Sequence, residues 1–137
     1  MANDDLNQKI RNKSAVIGVI GLGYVGLPLA LTFAKQSFSV VGFDLDTAKV
    51  TKLNKGESYI GYIESDTISK YNKKGLFTAT DDFSRLIEID AILVCVPTPL
   101  RDSREPDLSY VEATADTIAT YLREGQLIVL ESTTYPG

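Results

Sequence analysis

The sequence contains no histidine and a single cysteine in 137 residues. One cysteine makes no intrachain disulfide, and a structural zinc site, which needs four ligands usually drawn from cysteine and histidine, is excluded. No apolar run approaches the ~20 residues of a membrane span. The first 14 residues, MANDDLNQKIRNKS, lack the apolar core of a signal peptide and read as a polar tail, mobile or at most a loose first turn. Basic residues are outnumbered, 14 Lys and Arg against 18 Asp and Glu. The net charge of −4 argues against a nucleic-acid surface, which needs clustered positive charge. No membrane or nucleic-acid partner is therefore expected, and the cytoplasm is the natural compartment.

What the sequence does have is 44% hydrophobic residues in short aliphatic runs. That length and composition suit one domain, expected over 15–137, able to bury roughly two-thirds of its unfolded surface. Strand and helix patterns alternate. Residues 15–20 (AVIGVI) form a continuous apolar run, as in a parallel strand covered on both faces. Residues 24–36 follow as a helix, with Val25, Leu29 and Phe33 at helical spacing and Pro28 in its first turn. Residues 38–43 read as the second strand, 46–54 as a short helix ended by Gly56, and 65–74 as another helix. A third strand is expected at 76–80, then a short helix at 81–87 capped by Asp81 or Thr80. The fourth strand is expected at 91–96, stopped by Pro97-Thr98-Pro99, with a charged loop over 101–106. Asp107 should cap a longer helix with Leu108, Val111, Ala115, Ile118 and Leu122 on one face and Gly125 at its C′ position. Residues 127–130 complete a fifth strand. The alternation implies an α/β fold, a doubly wound parallel sheet with right-handed crossovers. In the dinucleotide-binding (Rossmann) version the strand order is 3-2-1-4-5.

The first turn carries that version's signature. Gly21-Leu22-Gly23-Tyr24-Val25-Gly26 is a G-x-G-x-x-G with a strand before it and a helix after it. Gly21 permits the tight turn, Gly23 lets the backbone approach a pyrophosphate, and Gly26 allows close packing of helix on strand. The helix then presents free N–H groups and the positive end of its dipole to the phosphates. Asp44 lies 23 residues after Gly21, where an acid accepts from a ribose 2′-hydroxyl and repels a 2′-phosphate. NAD is favoured over NADP. Two other readings exist: glycines serving only the turn with Asp44 capping the next helix, or a methyltransferase using S-adenosylmethionine. Gly26 at the third position speaks against the methyltransferase.

Beyond the turn, GLGYVGLPLA, VVGFDLD, CVPTPL, REPDLSYVE and ESTTYPG occur in order between Val16 and Gly137. Together they resemble the N-terminal NAD-binding domain of the UDP-glucose/GDP-mannose dehydrogenase family, most closely the branch that includes UDP-N-acetylglucosamine 6-dehydrogenase. The resemblance implies that the parent enzyme oxidises the C6 alcohol of a nucleotide sugar to a carboxylate with two NAD, for surface polysaccharide biosynthesis. It implies capture of the intermediate aldehyde by a cysteine and hydrolysis of the resulting thioester. That cysteine belongs to a later segment of the family's chain, as do the middle and sugar-binding domains. This chain is expected to be about the first third of such an enzyme and inactive alone. The parent is expected to be a homo-oligomer built through its middle domain, and this piece a monomer.

The resemblance also assigns residues. The expected cofactor set is Gly21, Gly23, Tyr24, Val25, Gly26, Asp44, Lys49, Val96, Thr98 and Thr133. Thr98 and Thr133 follow strands four and five, at the sheet edge where Rossmann ligands bind, and Thr134 is expected to position the catalytic water. Lys49, one turn into the helix after Asp44, is expected near the adenosine ribose or phosphate, though a solvated lysine is the plain alternative. Cys95, inside the apolar run of strand four, reads as a buried small hydrophobe and not as the nucleophile. The segment 59–63 (YIGYI) departs from the glucose-type pattern and is closer to the N-acetylhexosamine branch, as is REPDLSYV. Its simple reading is two tyrosines packing a loop onto the domain. The competing functions are a stand-alone NAD-binding regulatory module and the N-terminal domain of a beta-hydroxyacid dehydrogenase, whose first turn does not usually carry Tyr-Val-Gly-Leu-Pro.

Overall fold

A computed structural model describes residues 2–96 and 109–131. It contains α1 (Ala2–Arg11), β1 (Val16–Ile20), α2 (Gly26–Lys35), β2 (Ser39–Phe43), α3 (Thr47–Asn54), α4 (Ser65–Lys73), β3 (Phe77–Thr80), a 3-10 turn (Phe83–Glu88), β4 (Ala91–Val94), α5 (Ser109–Tyr121) and β5 (Leu127–Leu130). The five strands are all parallel, in the order β3-β2-β1-β4-β5. This is the Rossmann arrangement expected from the strand and helix alternation.

The strands are apolar on both faces because both are covered. Ile17, Val19, Val40, Leu93 and Cys95 face one layer, with Leu27, Ala30 and Leu31 of α2 and Ile68 of α4. Ile20, Val41, Phe43, Ile92 and Val94 face the other, with Leu86, Ile89 and Ile118 of α5. The alternation along β4 divides neighbouring residues between two cores, as the two-residue period of a strand requires. At the β3 edge of the sheet, the side-chain amide of Asn54 donates to the Ala79 carbonyl (2.8 Å) and accepts from its N–H (2.9 Å). That pairs backbone groups an edge strand would leave open.

Several expectations need correction. The N-terminal segment is a ten-residue helix, α1, not a loose tail. The inward face of α2 is Leu27, Ala30, Leu31 and Ala34, while Val25 is exposed and Leu29 and Phe33 are only partly covered. The short element after β3 starts later than expected and is capped by Asp82, whose carboxylate accepts from the Ser84 N–H (3.1 Å). On α5, Ala115 is exposed, and so is Leu122 just past the helix end. The covered positions are Val111 and Ile118, as expected, together with Thr114, Thr117 and Tyr121. Gly125, at φ 88°, lies in the turn before β5, four residues past the end of α5, and not at its C′ position. Asp107 and Leu108 lie outside the described residues, as does the charged loop 101–106.

The chain entering β4 is held by a cluster the sequence did not reveal. Asp90 is buried, and its carboxylate accepts from the Val16 N–H (2.8 Å), Lys9 Nζ (3.1 Å) and Arg123 Nη2 (3.0 Å). Burial alone would raise its pKa, but the Val16 N–H, Arg123 and Lys9 outweigh that and hold it below the usual carboxylate value. Arg123 also donates to the Ile87 and Ile89 carbonyls, tying the α5–β5 connection to the start of β4. Asp90→Asn is expected to lower stability by about 2 kcal/mol and the melting temperature by roughly 5–10 °C. A depressed folded-state pKa gives stability that is present above the unfolded value near ~3.9 and lost as pH falls through the folded one. The difference in melting temperature between Asp90→Asn and the unmodified chain should therefore be full at neutral pH and shrink below about pH 4. A constant difference across that range would show that the charge is not what Asp90 contributes.

Candidate dinucleotide site

The site lies where the carboxyl ends of β1, β2 and β4 meet the N-terminus of α2. Gly21 continues the hydrogen bonding of β1, donating its N–H to the Phe43 carbonyl (2.8 Å), then leaves the strand at φ 94°. A Cβ there would stand 2.6 Å from the Cys95 carbonyl oxygen, so the turn requires glycine on both conformational and steric grounds. Asp44, immediately after β2, joins the two strand ends. One of its carboxylate oxygens accepts from the Leu22 N–H (2.9 Å), the other from the Asp46 N–H (2.9 Å). Each oxygen keeps a lone pair for a further donor. Asp46 in turn caps α3 by accepting from Ala48 and Lys49.

The N-terminus of α2 is uncapped: Val25 makes no side-chain cap, and the first turn holds no acid. The N–H groups of Gly23, Tyr24 and Val25 donate to no described residue. Open N–H groups at a helix start, with the dipole behind them, favour an anion. Gly23 opens the way for one, since a Cβ built there meets nothing within 4 Å. Gly26 is the reverse: its Cβ would fall 1.7 Å from the Gly21 carbonyl oxygen, so the helix can start this close to the turn only with hydrogen at that position.

These groups border one cleft of about 750 Å³. Gly21, Gly23, Tyr24, Val25, Asp44, Lys49 and Val96 of the expected set all line it. Gly26 lies beneath, buried against the turn. Thr98, Thr133 and Thr134 fall outside the described residues. Sequence reasoning missed the opposite wall, formed by Phe83 beside Phe43 (ring centroids 5.6 Å apart) and by Ala113, Thr114 and Thr117 of α5. Thr114 and Thr117, three apart on one helix, were the only available signal. Lys49 places its ammonium 5.6 Å from the ring centroid of Tyr59, a cation–π contact, so at least part of its role is to hold that ring. Cys95 is buried as expected although it touches the cleft, and burial, with Glu131 adding, pushes its thiol up to about 11. A thiol so protonated at neutral pH is a poor nucleophile. Among the described residues no group of acids and cysteine could hold a metal ion, and no helix is long and apolar enough to cross a membrane.

An open helix start and a carboxylate lining one cleft fit a dinucleotide, and comparison with known proteins agrees. The family model for the "UDP-glucose/GDP-mannose dehydrogenase family, NAD binding domain" matches residues 15–137. The UDP-N-acetyl-D-mannosamine dehydrogenase of Escherichia coli (strain K12) is 41% identical over 123 residues, 90% of this chain and 29% of that protein. The NDP-N-acetyl-D-galactosaminuronic acid dehydrogenase of Ralstonia nicotianae is 40% identical over 122 residues, 88% of this chain and 28% of that one. Among solved structures, that of a UDP-D-ManNAc dehydrogenase from Pyrococcus horikoshii superposes with a TM-score of 0.81 at 36% identity, covering 89% of this chain and 29% of that chain. The chain thus spans under a third of the length of the relatives it matches.

Proposed function

The chain belongs to the UDP-glucose/GDP-mannose dehydrogenase family as its NAD-binding domain, and from that premise we propose that it holds NAD for the oxidation of C6 of a UDP-N-acetylhexosamine by its parent enzyme. The observation that carries the reading is the pairing, across one cleft, of the uncapped α2 N-terminus with the Asp44 carboxylate. NAD, when bound, supplies the hydride acceptor. The N–H groups at Gly23, Tyr24 and Val25 receive the pyrophosphate, and Gly26 keeps the helix start close behind them. Asp44 uses its remaining lone pairs to accept from the adenosine ribose hydroxyls. Lys49 closes the ribose end, while Val96 and Phe83 exclude water from the apolar wall. By family resemblance, Thr98 and Thr133 add contacts to NAD and Thr134 positions the hydrolytic water.

The relatives named for N-acetylmannosamine and N-acetylgalactosaminuronic acid support the acetylated-hexosamine class. The 59–63 and 104–111 segments of the sequence fit the same class, and UDP-N-acetylglucosamine within it rests on the resemblance of the sequence to that branch. The parent works in the cytoplasm as a homo-oligomer, feeding a uronic acid to a surface polysaccharide. Joined to the rest of that polypeptide, the domain is expected to support two NADH per UDP-N-acetylglucosamine consumed. Turnover restricted to another UDP-N-acetylhexosamine would reassign the sugar, and turnover by the 137-residue chain alone would mean that the reaction needs nothing beyond it.

The cofactor reading is tested by calorimetry with NAD and NADP. The chain should favour NAD, and Asp44→Ala should narrow the preference about tenfold, as removal of a carboxylate facing a phosphate predicts. The ratio is the proper readout, because Asp44→Ala also releases the Leu22 and Asp46 N–H groups. Equal affinity for both cofactors in the unmodified chain would remove the ribose assignment of Asp44.

A further inference from the structure

The loop between α3 and α4 carries two tyrosines whose hydroxyls both end on the glycine-rich turn. Tyr59 Oη donates to the Leu22 carbonyl, and Tyr62 Oη donates to the Tyr24 carbonyl (3.0 Å). We propose that Tyr59 and Tyr62 are positioning residues for the phosphate-binding turn, holding these two carbonyls so that the Gly23 and Val25 N–H groups stay aimed into the cleft. The inference rests on the NAD reading of that cleft and adds residues from outside the glycine motif to its machinery.

In a trans peptide the C=O of one residue and the N–H of the next point in opposite directions. No peptide among the described residues is cis. A hydroxyl that fixes the Leu22 carbonyl therefore fixes the Gly23 N–H on the opposite side, and one that fixes the Tyr24 carbonyl does the same for Val25. These are two of the N–H groups left open at the start of α2. Leu22 is held from both sides, its N–H by Asp44 and its carbonyl by Tyr59. Without such restraints a glycine-containing turn rotates its peptides easily. Binding would then carry the cost of ordering them, a cost that preorganisation removes.

The tyrosines are themselves held. Ile60, between them, is buried in the core beneath α2 and α4. Ser58 Oγ donates to the Ile60 carbonyl (2.9 Å) and accepts from its N–H (3.1 Å), and the Ile63 N–H returns to the Ile60 carbonyl (3.0 Å). The Ser65 hydroxyl accepts from the Ser58 N–H (2.9 Å). This braced turn sets two side chains three residues apart against two carbonyls two residues apart. Lys49 flanks the Tyr59 ring. Burial, followed by the Asp44 and Asp46 carboxylates, pushes the Tyr59 phenol above its ordinary value, so it remains a donor throughout the neutral range.

The experiment uses the 15N-labelled 137-residue chain, unmodified and as Tyr59→Phe, Tyr62→Phe and the double variant. Phenylalanine removes only the hydroxyls and keeps the packing of the rings. Each single variant should raise the NAD dissociation constant about fivefold and the double about twentyfold, the scale of one and two neutral hydrogen bonds. The Gly23 and Val25 amides should shift and exchange faster with solvent while β1 and β4 amides do not, and the melting midpoint should fall by no more than about the few degrees that the lost hydrogen bonds account for. Unaltered NAD affinity in the double variant, or a lowered melting midpoint with unmoved Gly23 and Val25 amides, would overturn the proposal in favour of simple loop packing. If the unmodified chain binds no NAD, the cofactor reading fails separately, and the amides alone judge whether the hydroxyls set the turn. Should Tyr59→Phe not fold, the exposed Tyr62 carries the test, with Val25 as its reporter.

Discussion

Gly23→Val is expected to abolish NAD binding, raising the dissociation constant on the order of 100-fold, while the chain still folds and melts close to the unmodified protein. The two halves of this expectation come from one geometric fact. A Cβ at position 23 meets no protein atom within 4 Å, and the backbone there is not in the left-handed region, so the folded chain tolerates a side chain. The space it enters is the cleft in front of the open N–H groups of α2. An isopropyl group there occupies the place of the pyrophosphate and shields the helix start from it. Calorimetry and thermal melting on the same sample decide the matter. Unchanged affinity would mean that the phosphates do not approach over Gly23, and a collapsed melting temperature would mean that the position is structural.

Gly26→Ala should do the opposite, unfolding or severely destabilising the domain by at least ~3 kcal/mol, with loss of binding only as a consequence. The added methyl would lie 1.7 Å from the Gly21 carbonyl oxygen and 2.9 Å from its carbon. Those are backbone atoms at a point where Gly21 is tied to Phe43 and packed against Cys95, so no side-chain rotation relieves the overlap. Either the turn leaves β1 differently or α2 moves off the sheet. The latter would uncover Leu27, Ala30 and Leu31, which are buried against the strands. Circular dichroism melts should show the loss directly. A variant that melts like the unmodified chain but no longer binds NAD would make Gly26 a ligand-contact residue instead. The same motif thus contains two glycines, Gly21 and Gly26, required by the chain itself, and one, Gly23, where the fold leaves room for a side chain.

How far the site could be read beforehand depended on how local its physics is. The glycine turn and Asp44 were legible because a tight turn, a backbone approach and an acid at the end of the next strand restrict residue type at fixed spacing. Strand order followed from the alternation of elements and the handedness of crossovers. The α2 face was misread because nearly every residue from Gly26 to Ala34 is apolar or small, so a helical period selects no single stripe. The sheet selected Leu27, Ala30, Leu31 and Ala34. The helix α1 has few apolar positions, with Leu6 and Ile10 one turn apart, a stripe too short to tell a helix from a polar tail. Lys9 reaches Asp90 81 residues later in the chain, a contact invisible to any local pattern.

The sequence by itself therefore determined the parallel five-stranded sheet, the place of the glycine turn, the acid at the end of the next strand and the burial of Cys95. Each depends on sterics, burial or charge expressed within a few residues of chain. The tertiary structure supplied the atoms behind the roles expected of the three glycines: a Cβ at position 21 would meet the Cys95 carbonyl, one at 26 the Gly21 carbonyl, and one at 23 nothing within 4 Å. Only the tertiary structure brought Tyr59 and Tyr62 onto the Leu22 and Tyr24 carbonyls, 37 and 38 residues earlier in the chain, and set Phe83 and α5 as the far wall of the cleft. Such contacts are fixed by how the layers pack on the sheet, and hydrogen-bonding side chains at those separations carry no periodicity from which to infer their partners.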